Sequence, residues 1–266
     1  MQTPKITADR IREYLSSGKR FDGRGLGEFR DIVIETPVSV KAEGSARVRI
    51  GKTEVIVGIK MDVSEPYPDS PNKGNLMVTG ELLPLSSSRF ESGPPKFPAI
   101  ELGRLVDRGI RESGFIDFEK LCIEEGKKVW TVFVDVYSIN DDGNILDAAA
   151  IGALVALKNA KIPRYDEESG KAVYGELTDV SIPVSEEVPI VTTVYKIGDS
   201  LVVDPTLEEQ DVCETKVTIG GTAEGKIFSM QKGDSKELSI DEMAKVLELS
   251  KESKKEVLSK IEEYMK

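Results

Sequence analysis

Four arginines are the first residues whose type and spacing point to chemistry. Arg104, Arg108 and Arg111 stand four and three residues apart, so on a helix they share one face, and Arg89 lies in the loop just before. Such a row has two readings. It is a solvated helix surface with Asp107 and Glu112 as intrahelical partners, or a ridge that contacts phosphates, because the planar guanidinium fork matches phosphate oxygens and successive turns can follow a backbone. Carboxylates form two more groups. Asp141, Asp142 and Asp147 flank the turn Asp141-Asp142-Gly143-Asn144-Ile145-Leu146-Asp147, where turn formation and helix capping compete with magnesium ligation as the explanation. Three aspartates and no arginine at a helix start oppose anion binding there. Asp204, Glu208, Glu209 and Asp211 lie between two strand-like runs, where paired carboxylates serve as acid–base or metal groups or form a solvated loop.

The chain has no histidine. That excludes serine–histidine and cysteine–histidine catalysis and histidine-ligated zinc, and leaves Asp, Glu, Lys, Tyr or Cys for any acid–base step. Cys122 and Cys213 are too few for a disulfide framework and lack CxxC spacing; Cys213 reads as a small core or interface residue. The Gly-rich loop GKRFDGRGLGE precedes a strand instead of following one and opening a helix, so it is not a nucleotide-binding fingerprint.

The elements that must position these groups follow from periodicity. Residues 7–17 form a short amphipathic helix behind Thr7 as N-cap, with Ile11, Tyr14 and Leu15 on the face that needs a surface to lie on. DIVIETPVSV, SARVRI and EVIVGIKM read as strands, with Gly51-Lys52 as a hairpin turn; DVSEPYPDSPNKG is a proline-rich loop, and NLMVTGELLPL is a further strand. The arginine row lies on a helix over 99–113 whose apolar face is Ile100, Leu102, Leu105, Val106 and Ile110. KLCIEE and KVWTVFVDVYSI are strands, and Asp147 caps a buried alanine-rich helix, AAAIGALVALKNA. The polar stretch IPRYDEESGKAVYGELTD marks the boundary between two halves. EVPIVTTVYKI, the turn Gly198-Asp199, SLVVDP, ETKVTIGG and GKIFSMQKG make a second strand block. A last helix opens at a capping box of Ser239 and Glu242.

Strands followed by helices, twice over, predict an α+β chain: an N-terminal helical extension over 1–20, a larger half over 21–175 and a smaller one over 186–266. With 266 residues, 39% apolar and 31% charged, the composition is that of an ordinary globular protein. The net charge of −11 repels polyanions, so nucleic acid binds only at a local basic patch or on a surface completed by a partner. The first residues lack a signal peptide's unbroken apolar core and no run reaches membrane-span length. The expectation is a soluble, cytoplasmic chain with no membrane contact.

The order RFDGR, strand meander, proline-rich loop, SSRFESGPP, IELGRLVDRGIR, DGNILDAAAIGALVAL and LVVDPTLEEQ resembles the RNase PH family over residues about 20 to 260. FESGPP and DPTLEE are similar to the family's non-catalytic branch in the archaeal exosome. The resemblance implies two α/β halves of the ribosomal-S5-domain-2-like type. It also implies a hetero-hexameric ring, a trimer of heterodimers with an active paralogue, that carries cap subunits and threads single-stranded RNA. No cofactor or metal is implied. Active relatives carry a Gly-Ser/Thr-Arg phosphate site where this chain has Asn144, Ile145 and Leu146, and a presumed acid aspartate where a gapless match from Asp204 puts Lys216. A lysine cannot do that carboxylate's work near neutrality. The resemblance therefore implies no catalytic residue in this chain, with Arg104, Arg108, Arg111 and Arg89 as RNA contacts. The competing expectation is a phosphorolytic 3′–5′ exoribonuclease active in its own right, through Asp204, Glu208, Glu209 or Asp211.

Overall fold

The computed structural model describes residues 3–266. Chain order is α1 (Lys5–Ser16), β1 (Ile32–Glu35), β2 (Gly44–Ile50), β3 (Thr53–Ser64), β4 (Asn75–Glu81), α2 (Phe97–Arg111), a 3-10 turn (Phe118–Leu121), β5 (Cys122–Glu124), β6 (Lys128–Asn140) and α3 (Ile145–Lys158). There follow β7 (Lys161–Asp166), β8 (Lys171–Ser181), β9 (Ile190–Ile197), β10 (Ser200–Val203), α4 (Leu207–Asp211), β11 (Thr215–Gly221), β12 (Ile227–Gly233) and α5 (Ile240–Ile261).

The first sheet runs β1-β2-β3-β6-β4, antiparallel except for the parallel β4–β6 pair, with β5 on one end of β6. Alternation in β3 puts Val55, Val57, Ile59 and Met61 on one fully buried face. α3 lies on that face; Gly152 permits the approach, since a Cβ there would stand 2.7 Å from Val57 Cγ2. Ala148 to Leu157 of α3 are all buried, as a helix apolar on every side requires. Each of Ile151, Leu154 and Leu157 contributes about 1.5–3 kcal/mol by leaving water. The second sheet, β10-β9-β11-β12, is antiparallel and packs against α5. α2 joins the halves, resting on β4 on one side and touching β11 and β12 on the other.

Several sequence expectations are corrected. α1 begins two residues before Thr7, with Pro4 at the N-cap and no side-chain cap. Ile11 and Leu15 are buried but Tyr14 is largely exposed, stacked edge-on against Phe21. The surface that α1 covers is this chain's own: Tyr195, Ile197, Val202 and Val212. α2 starts at Phe97, ends at Arg111 and leaves Ile100 exposed. The first two residues of KLCIEE end a 3-10 turn ahead of the short β5. Asp147 is not a cap. Asn144 occupies the N-cap position in left-handed geometry, φ 60°, so α3 starts at Ile145 and Asp147 turns into the core. The polar stretch after α3 forms the hairpin β7–β8, of which β8 exposes most side chains on both faces and so shows no alternation. The hairpin turns at Gly51-Lys52 and Gly198-Asp199 and the Ser239/Glu242 capping box form where the sequence puts them.

Candidate functional site

The loop before β1 builds the foundation of the site. Asp204, fully buried, accepts from Arg30 Nε at 2.8 Å and Nη2 at 2.7 Å, from the Arg30 backbone N–H at 2.8 Å and from Asn144 Nδ2 at 2.9 Å. Arg24 Nη1 adds a bond at 3.0 Å. Arg30 also donates to the carbonyls of Asp142 and Gly143, at 2.9 and 3.0 Å. Arg20 pairs with buried Glu209 and donates to the Val203 and Asp204 carbonyls. Burial opposes the charge on Asp204, yet Arg30 holds its carboxyl below the usual range and raises its own pKa in return. The Gly-rich loop, the turn ahead of α3 and the segment ahead of α4 are thus bolted together by groups 60 to 189 residues apart. Gly143 completes the joint: with φ +87°, its missing Cβ would lie 2.5 Å from the Pro205 carbonyl oxygen.

These pairings settle what the carboxylates do. The reading of 204–211 as a solvated loop is wrong for Asp204 and Glu209, which are structural ion-pair partners, and α4 has its own capping box of Thr206 and Glu209. Asp211 forms a bidentate pair with Arg89 and accepts from Thr3. Glu208 alone of the four is exposed. Asp141 accepts from the Gly143 N–H as a turn residue, with its pKa raised by burial. Asp147 accepts from Thr193 Oγ1 at 2.9 Å and from the Thr193 N–H at 3.2 Å. Among the described residues, no three His, Cys, Asp or Glu side chains are placed to hold a metal ion.

Above this joint, a cavity of about 360 Å³ gathers the residues of the second expectation. Ile145 and Leu146, from the first turn of α3, and Lys216 of β11 line it with Arg89, Glu101 and Tyr195. Asn144 lies beneath, bonded to Asp204 and Asp147 through Nδ2 and to Gln210 through its backbone N–H at 2.8 Å. Each cation in the cavity is neutralised. Lys216 Nζ sits 2.9 Å from Glu101 Oε2, and Arg89 is engaged with Asp211, which raises the guanidinium's pKa. The Leu146 side chain offers no donor where α3 begins.

A separate groove, of about 390 Å³, runs along the other side of α2. Arg104 and Arg108 line it, so the structure brings these two together. Arg104 is exposed and, among the described residues, makes no hydrogen bond or ion pair; Arg108 Nη1 donates to Gln231 Oε1 at 3.1 Å. Arg111 pairs with Asp107, donates to the Leu76 carbonyl and lies over the Phe118 ring, 5.9 Å from its centroid. Arg89 stands apart from the row, in the Leu146 cavity. Arg20, Arg24 and Arg30 are functional supports that spacing could not reveal, because their partners lie in the distant half. The one available signal was three arginines in a loop otherwise rich in glycine.

The chain matches the sequence profile of the 3′ exoribonuclease family, domain 1, over residues 28–163, and that of domain 2 over residues 187–253. It is 46% identical to the exosome complex component Rrp42 of Methanocella arvoryzae, over 97% of this chain and 96% of that protein. It is 43% identical to the protein of that name from Methanothermobacter thermautotrophicus, over 98% and 96%. A chain of the Archaeoglobus fulgidus exosome, solved with RNA bound to the active site, superposes with a TM-score of 0.88 at 42% identity, covering 96% of this chain and 98% of that one. Rice Rrp46, at 14% identity and a TM-score of 0.69, shares the fold. With two consecutive domains, a relative of the same length at over 40% identity and the two-part α+β architecture in common, this chain belongs to the RNase PH, or 3′ exoribonuclease, family.

Proposed function

We propose that the chain is a non-catalytic subunit of an exosome ring. In this role it binds single-stranded RNA and shapes the active site of a catalytic RNase PH-like partner during 3′-to-5′ degradation. The partner alternates with it in a trimer of heterodimers that carries cap subunits, and the complex works in the cytoplasm. The similarity to Rrp42 proteins over nearly the whole chain supports the assembly. The observation that carries the inactive assignment is the content of the Leu146 cavity. A phosphorolytic site must hold orthophosphate and donate a proton. Here the α3 start presents an isobutyl group, and the one ammonium among the described lining residues, on Lys216, is taken by Glu101. Asp204, Glu209 and Asp211, on which an active enzyme would draw, are committed to arginines.

RNA contact falls to Arg104 and Arg108, which face one groove and retain free donors, with Arg111 as a third, partly engaged cation and Arg89 at the neighbouring cavity. Two to four local guanidinium groups on an acidic subunit can serve as one wall of a channel whose remaining charge comes from the partner. Titration of orthophosphate into the pure chain, followed by calorimetry and by phosphorus NMR, tests the inactive assignment. No binding is expected at millimolar phosphate. An ion held beside Leu146 and Lys216 would overturn it.

A further inference from the structure

A cavity of about 500 Å³ lies between α5 and the turn that joins β11 to β12, and it shares no lining residue with the α2 groove or the Leu146 cavity. Lys254 lines it and is only 3% exposed. Its Nζ donates to the Ser250 hydroxyl, which stands 2.9 Å from the Thr192 hydroxyl. Among the described residues no carboxylate forms an ion pair with it, and Asp147 on α3 acts on it as a field alone. An ammonium has three protons to place and this one finds a single acceptor, so burial lowers the pKa to about 8. Near pH 7.5 roughly a quarter of such amines are unprotonated, against about one in a thousand for an ordinary lysine. The rest of the buried lining suits an anion. Ile219, Thr222 and Ser250 carry no carboxylate, and the Thr222 hydroxyl, itself buried, closes no hydrogen bond, although its dipole holds the exposed Glu224 carboxyl below the usual range. At the mouth, Lys251 lies along the Gly225 turn, Lys226 pairs with Glu187, and Glu224 and Glu248 are open to water.

An uncharged amine among hydrogen-bond donors is what the addition of carbon dioxide requires. We propose that Lys254 is a carbamylation site, where Nζ takes up carbon dioxide and the carbamate that forms is held in the cavity by the Thr222 hydroxyl and the Lys251 ammonium. The Nζ lone pair makes the new N–C bond, one C=O electron pair moves onto oxygen, and a proton leaves to water. R–NH2 and CO2 thus give R–NH–COO− and H+, with no oxidant, reductant or leaving group. Carbon dioxide is small and uncharged enough to reach a side chain that is 3% exposed, which a bulkier acyl donor is not. The reaction replaces a buried cation without a counter-ion by an anion that meets charge-assisted hydrogen bonds. The Asp147 field opposes that anion and favours the ammonium, so neutralising Asp147 promotes uptake on both counts.

The test places the full chain in carbon-13-labelled bicarbonate at pH 7.5 and follows it by carbon NMR, with alkyl trapping and peptide mass spectrometry to locate the adduct. A carbamate resonance and a trapped adduct on the peptide that contains Lys254 are expected. Both should vanish in Lys254→Arg, which keeps the cation but cannot lose its proton, and on acidification to pH 6. Thr222→Val has no hydrogen bond to lose in the unmodified protein, so it should leave Tm unchanged while raising the half-saturating concentration of carbon dioxide about tenfold. Asp147→Asn should lower that concentration. Absence of an adduct, a carbamate confined to the chain's α-amino group, or bicarbonate bound without a trapped adduct overturns the proposal. So does an unchanged half-saturation in Thr222→Val. Should Lys254→Arg fail to fold, the position of the trapped adduct in the parent decides by itself.

Discussion

Asp147 shows how single residues set the chemistry of this molecule. Burial raises its pKa to about 7, against hydrogen bonds from Thr193 and Asn144 that favour the charged form. In the unfolded chain an aspartate titrates near 3.9. Below that pH both states hold the proton and the contribution to stability is complete. Between about pH 4 and 7 the unfolded chain releases a proton that the folded chain keeps, so stability falls as pH rises, and above the folded pKa the loss is constant. Lys254, buried on α5 and bonded to Ser250, runs the other way: burial lowers its pKa to about 8, so its penalty lifts only at higher pH. Replacing Asp147 by Asn, which keeps the shape and removes the titration, isolates the first effect. Urea unfolding at pH 5 and pH 7 is expected to show the parent losing about 2 kcal/mol relative to Asp147→Asn. A difference that does not change with pH would contradict this account. None of it was legible in the sequence, where Asp147 looks like a helix cap. The left-handed Asn144 moved the helix start and turned the carboxyl inward.

At the scale of elements, the proposed RNA contact belongs to α2. Its apolar stripe, read from spacing alone, sits on β4 and α3 and leaves Arg104 and Arg108 at the groove. If each contacts one phosphate, Arg104→Ala/Arg108→Ala flattens the log–log salt slope of single-strand binding by about 1.4, at roughly 0.7 per contact. Fluorescence anisotropy of the reassembled complex across a salt series measures this, and an unchanged slope returns the row to an ordinary solvated face. Elements with one buried face and one wet face, such as α2, β3 and the α5 start, were legible because periodicity records that asymmetry. The β7–β8 hairpin leaves no such record: β8 is exposed on both faces, so its polar run reads as a boundary between halves with no strand signal. The joint of Arg20, Arg24 and Arg30 with Asp204 and Glu209 was hidden for a different reason. Its partners are separated by most of the chain, and local pattern says nothing about pairing at that distance.

For the whole molecule, the acidic balance, the neutralised cavity and the arginine groove support the proposal of a subunit that contributes surface while its partner contributes chemistry. The family resemblance was carried by ordered motifs and is matched by relatives of the same length. The cavity itself required the fold, because Leu146 and Lys216 come from opposite halves. The most direct measurement is phosphorolysis. Labelled single-stranded RNA and orthophosphate are incubated with the pure chain, and in parallel with the chain mixed with its RNase PH-like partner. The account predicts no shortening by the chain alone and processive shortening by the mixture; phosphate-dependent shortening by the pure chain would contradict it.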